Sequence, residues 1–195
     1  MDKSVTYFLL LMLVYFNMSS QYNFLALGDS YTEGTSVETD KSWPYLLRDY
    51  LADNGYLFSK PKVLAEDGWR TEHLLEDIDK ADIKEESFDM VSLLIGVNNQ
   101  YDEKPVEQFT EEFEILLQKA ISLNKFGNQT TFVLGIPDYS VTPYAKKNDK
   151  TKADIEIKKY NLIIQRICNK YDVVFYSLFE LSQKMEGQDS MFVED

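Results

Sequence analysis

Three short stretches carry residue types suited to acyl transfer. They are Gly28-Asp29-Ser30-Tyr31-Thr32-Glu33-Gly34, Asp67-Gly68-Trp69-Arg70-Thr71 and Gly96-Val97-Asn98-Asn99. A serine directly after a strand and at a helix start can present an exposed hydroxyl, with its backbone N–H aimed at the group under attack. Gly68 offers an N–H with no side chain in the way, and Asn98 offers a side-chain amide donor. A hydroxyl ringed by three such donors could attack a carbonyl and hold the oxyanion that develops, which is usually a large catalytic contribution. Singly, each residue has a common structural use: a serine cap, a turn glycine, a turn asparagine. Only their convergence points to chemistry.

Convergence requires elements that deliver all three stretches to one edge. Apolar runs at residues 23–27, 62–65, 88–95, 130–134 and 173–176 read as strands, most of them closed by glycine or proline. Between and after them, residues 42–51, 71–79, 105–123, 153–169 and 177–185 read as helices. Residues 105–123 are the clearest, with Val106, Phe109, Phe113, Leu116, Leu117, Ala120 and Ile121 on one helical stripe. The stripes of the neighbours are Trp43, Leu46, Leu47, Tyr50 and Leu51; Leu74, Leu75 and Ile78; and Ile157, Tyr160, Ile164 and Ile167.

Strictly alternating strands and helices predict an α/β fold: a five-stranded parallel sheet, flavodoxin-like, in a three-layer α/β/α sandwich. Sites in such sheets form beyond the carboxyl ends of the strands, where all three stretches fall.

This combination resembles the SGNH, or GDSL, hydrolases. GDSYTEG matches the serine block, the Gly68 turn the glycine block, and GVNN the asparagine block. The wider stretches LALGDSYTEG, DGWRTEHLL, LLIGVNNQY and IPDYSVTPYA are similar to a bacterial, lysophospholipase-like branch, and the resemblance runs from residue 22 to 195. It implies an esterase or lipase without metal or organic cofactor, acting on a small-molecule ester. Ser30 would be the nucleophile, with the Ser30 N–H, the Gly68 N–H and Asn98 as the oxyanion hole. Trp69 and Tyr139 are candidates to line an acyl or sugar pocket, against the alternative that they are core aromatics.

The family's fourth block, D-x-x-H, supplies the general base and its orienting aspartate. The sequence ends Met191-Phe192-Val193-Glu194-Asp195, so Asp195 is identified with the triad aspartate, three residues before the expected histidine. The expectation is a shortened version of a longer chain, lacking that histidine and a final helix and leaving an apolar strip uncovered. The lone histidine, His73, points away from Leu74, Leu75 and Ile78 by helical spacing and is expected to be a solvated helix residue.

The chain has 195 residues, enough for one domain, with 44% hydrophobic and 27% charged residues. With 33 acidic against 20 basic side chains, the formal net charge is −13, which argues against nucleic acid and anionic membranes as partners. Even the densest basic stretch, residues 146–152, contains Asp149. The single cysteine, Cys168, permits neither an internal disulfide nor a cysteine-based metal site.

Residues 5–16, VTYFLLLMLVYF, are too short to span a bilayer and suit the apolar region of a signal peptide. The expected organisation is an export signal over 1–20, a hydrolase domain over 21–195, and a secreted or periplasmic location. Two rival readings remain from sequence: an inactive protein that binds an acylated sugar or lipid, and a nucleotide-binding domain. The second is weakened because GDSYTEG lacks a phosphate-binding lysine. Oligomeric state is not readable.

Overall fold

A computed structural model of the chain describes residues 21–81, 83, 87–148 and 153–188. Five strands, β1 (Phe24–Asp29), β2 (Lys62–Glu66), β3 (Met90–Leu94), β4 (Thr131–Leu134) and β5 (Val174–Tyr176), form one sheet in the order β2-β1-β3-β4-β5. Every pairing is parallel. This is the order of a doubly wound sheet whose direction of growth reverses between β1 and β3. Leu27 lies between Leu64 of β2 and Leu93 of β3 in the register.

The helices are α1 (Ser30–Glu33), α2 (Trp43–Asp53), α3 (Thr71–Lys80), α4 (Val97–Tyr101), α5 (Val106–Leu123), α6 (Pro143–Lys147), α7 (Ala153–Lys170) and α8 (Phe179–Gln183). One face of the sheet presents Leu25, Leu27, Val91, Leu93, Ile95 and Val133, all fully buried. Packed on it are Leu74 and Ile78 of α3, Phe109, Phe113, Leu116 and Leu117 of α5, and Ile157, Ile164 and Ile167 of α7. Each such side chain contributes roughly 1.5–3 kcal/mol by leaving water, so this layer fixes the sheet's position.

The opposite face is built differently. Phe24 of β1 meets the rings of Trp43 and Phe132 at centroid distances of 6.1 and 6.3 Å. Here the stripe predicted for α2 needs correcting. Leu46 and Tyr50 are 54% and 65% exposed, and the helix buries Pro44 and Tyr45 instead. The helix covers the sheet chiefly through its first turn; further along, Leu46 and Tyr50 face outward while Leu47 and Leu51 are half-buried. Toward the β5 edge, Val174 and Tyr176 are also exposed, and no described element covers them.

Candidate active site

β1 passes into α1 with no intervening loop. Asp29 ends the strand and also caps the helix, its carboxylate accepting the Tyr31 N–H at 3.1 Å. Ser30 is therefore the first helical residue at the carboxyl end of a central strand, half-buried. The sharp turn depends on Gly28. A Cβ there would stand 2.2 Å from Thr32 Oγ1 and 2.6 Å from the Leu94 carbonyl oxygen, so α1 can fold back over the strand only above a glycine.

Asp29 is fully buried. Burial pushes its carboxyl up to about 7, although the Tyr31 and Gly96 amides favour the ionised form. The carboxyl beside Ser30 therefore titrates near neutrality.

Gly68 lies two residues beyond Glu66, which pairs with Asp29 in the register. Its φ of +74° is left-handed, a conformation that costs a residue with a Cβ about 1–2 kcal/mol. The space a Cβ would occupy is empty within 4 Å, so glycine is selected here by backbone angle and not by crowding. Among the described residues the Gly68 N–H has no hydrogen-bond partner, and the residue is exposed.

Asn98 sits in α4, half-buried, four residues past the Leu94 that pairs with Gly28. Its Nδ2 donates to the Trp69 carbonyl at 2.8 Å. An amide nitrogen has two hydrogens, so one remains for another acceptor.

Its neighbour Asn99 carries a role that the sequence reading missed. Asn99 is fully buried; its Oδ1 accepts the Thr71 N–H at 3.1 Å, and its Nδ2 donates to Thr71 Oγ1 at 2.7 Å. Arg70 adds a third tie, its guanidinium donating to Glu72 and to Asp102, each at 2.6 Å. Its hydrogen bond to Glu72 leads in holding Arg70 above its ordinary value, and burial opposes it. Burial acts to raise Glu72, but the Arg70 bond outweighs it and the carboxyl lies below its usual value. The one available signal was the doubled asparagine after Gly96-Val97.

A cleft of about 260 Å³ opens beside Gly68, with Asp67, Trp69, His73 and Asp77 in its walls. Trp69 thus occupies the kind of place expected of a pocket residue. Tyr139 does not: it is buried, and its hydroxyl donates to Gln100 Oε1 at 2.9 Å, which makes it core. Burial pushes that phenol up to about 12. His73 is half-buried in the cleft wall, less solvated than expected. Its Nδ1 accepts the Arg70 N–H at 3.2 Å, so the ring caps its own helix. Asp195 and the expected export signal lie outside the described residues.

Among the described residues no group of three or more His, Cys, Asp or Glu side chains is placed to hold a metal. Burial pushes the Cys168 thiol up to about 12, which keeps it protonated and unreactive. No described helix is long and apolar enough to cross a membrane.

The sequence matches the family model described as "GDSL-like Lipase/Acylhydrolase family" over residues 26–195. No curated protein matches it. Solved structures with the same fold include TesA, at 20% identity and a TM-score of 0.67, covering 87% of this chain and 84% of that one. AlinE4, an SGNH-hydrolase family esterase, is 16% identical with a TM-score of 0.67, covering 92% and 86%. The lipase/acylhydrolase from Enterococcus faecalis is 19% identical with a TM-score of 0.66, covering 87% and 82%.

Proposed function

The chain belongs to the GDSL-like lipase/acylhydrolase family, and from that premise we propose that it hydrolyses carboxylic esters through an acyl-enzyme on Ser30. The Ser30 hydroxyl oxygen attacks the ester carbonyl carbon as its proton passes to a histidine. The negative charge moves to the carbonyl oxygen, which takes hydrogen bonds from the Ser30 N–H, the Gly68 N–H and the remaining Asn98 hydrogen. Collapse breaks the bond to the alcohol, which leaves with the proton. Water then attacks the acyl-serine by the same route, releasing the acid and restoring Ser30.

The base in this scheme is the histidine that the family's D-x-x-H block would carry three residues past Asp195, with Asp195 orienting it. The observation that carries the reading is the 2.8 Å bond from Asn98 to Trp69, because it makes two of the three proposed donors parts of one assembly. The substrate class is a small-molecule ester. We further propose that residues 1–20, with their 12-residue apolar run, direct export and are removed, which N-terminal sequencing of exported protein would test.

The decisive experiment extends the chain with a Gly-Leu-His-Pro segment and a terminal helix, then measures p-nitrophenyl acetate hydrolysis and labelling by a serine-directed phosphonate. Turnover and labelling, both abolished by Ser30→Ala, are expected. Binding of an ester analogue without turnover in the extended chain would overturn the hydrolase reading in favour of a binding protein.

A further inference from the structure

Gly68 itself has little packing, although Trp69 beside it packs against the core. Gly68 is exposed, no side chain touches the space above it, and the turn closes on itself through a single bond, Trp69 N–H to the Glu66 carbonyl at 3.2 Å. Side chains of α4 add to what the Trp69 ring supplies. Asn98 grips it at Trp69 and Asn99 grips it at Thr71, both from α4.

The two grips differ in kind. The Asn98 bond uses the residue proposed to touch the reacting carbonyl. The Asn99 bonds lie in the interior and touch no substrate. Thr71 opens α3, so its N–H has no partner within the helix and would be an orphan donor. Asn99 Oδ1 satisfies it, and the Thr71 hydroxyl, accepting from Asn99, donates onward to Glu112 of α5. The chain Asn99–Thr71–Glu112 joins α4, α3 and α5, with Thr71 and Asn99 fully buried. The Arg70–Asp102 pair is a weaker tie, because solvent screens it: the two side chains are 20% and 41% exposed.

From this geometry we propose that Asn99 is a positioning residue: by clamping Thr71 it fixes where the Gly68 N–H points, and so completes the oxyanion hole. The inference rests on the hydrolase reading above. Losing the clamp leaves the ester-binding cleft in place but lets the Gly68 donor swing. Catalysis is then weakened in the charged transition state, more than binding of the neutral ester.

The test uses the extended chain, with kcat, KM and melting temperature measured for the parent, Asn99→Leu and Asn99→Asp. Asn99→Leu keeps the volume and removes both bonds; kcat should fall about tenfold or more with KM within about twofold. Asn99→Asp keeps an acceptor for the Thr71 N–H and should recover kcat to within about threefold of the parent. Should Asn99→Leu not fold, Thr71→Val removes half the clamp and should lower kcat severalfold at constant KM. A lower melting temperature with unchanged kcat in the folded variants would overturn the positioning role alone. A parent chain without turnover or Ser30 labelling would overturn the hydrolase reading, and the positioning role with it.

Discussion

The Asn98 side chain donates to the Trp69 carbonyl across the end of a strand that belongs to neither residue. Trp69 follows β2 and Asn98 follows β3, and β1 lies between those strands. With neighbouring strands about 4.8 Å apart, β2 and β3 stand roughly two spacings from each other, so the 2.8 Å bond requires the loops that follow them to lean together past the end of β1. The bridge therefore ties the glycine block to the asparagine block at the carboxyl edge of the sheet, where β1 ends.

Asn98→Ala removes this bridge together with a proposed oxyanion donor. In the extended chain kcat should fall on the order of 10² to 10³-fold, with a much smaller change in KM. Steady-state kinetics on p-nitrophenyl acetate checks this. A loss confined to KM would mean that Asn98 binds ground-state ester only.

Gly28→Ala should be structurally costly. Its methyl would need space held by Thr32 Oγ1, which could rotate, and by the Leu94 carbonyl, which is locked in the β3 backbone. Forced overpacking of this kind costs about 1–3 kcal/mol. The melting temperature should drop by several degrees. Gly68→Ala should lose less, since only its positive φ resists the change.

Asp29 makes stability depend on pH in an unusual direction. Its carboxyl rises from 3.8 to about 7 on folding, so the folded chain binds the proton more tightly than the unfolded one. The associated stability is fully present below pH 4 and is lost as pH climbs toward 7. Asp29→Asn keeps an oxygen to accept the Tyr31 N–H and removes the ionisation. Between pH 4 and 7 the melting temperature of the wild type, measured relative to that of Asp29→Asn, should fall. Parallel curves for the two proteins would contradict the buried, raised carboxyl.

Much of this site was legible because glycine follows its strands in the sequence. Gly28, Gly68 and Gly96 each lie at or just beyond the carboxyl end of a strand, and they led to Ser30 and Asn98. The strand ending in Gly28 was read two residues short, because β1 runs on through Asp29 directly into α1. Among the described residues four helices have only four or five residues: α1, α4 and α6 complete about one turn, leave no periodicity to detect and went unread, and α8 was read too long, as 177–185. Asn99 was overlooked for a different reason: its partner Thr71 is 28 residues away, and nothing in either residue's neighbourhood announces the other. Tyr139 takes the core alternative of its two readings and His73 is more buried than expected, since burial of a single aromatic ring is set by tertiary neighbours.

His73 is the one histidine in the sequence, and its placement in the cleft wall makes it the obvious rival for the base. Its hydrogen bonds argue otherwise. Nδ1 is taken by the Arg70 N–H at the start of α3, and the Arg70 guanidinium stands 3.2 Å from Nε2. A base needs a free lone pair directed at the serine, and both ring nitrogens of His73 already face Arg70. His73→Gln supplies an oxygen that can accept the same N–H at the third position of the helix, as in a capping box. In the extended chain this variant should keep kcat within about twofold and melt within a few degrees of the parent. In the extended chain, replacing the added D-x-x-H histidine by alanine should lower turnover on the order of 10⁴ to 10⁶-fold, with or without His73. If His73→Gln instead abolishes turnover while the melting temperature holds, the proton from Ser30 goes to His73, and the base is already within the 195 residues.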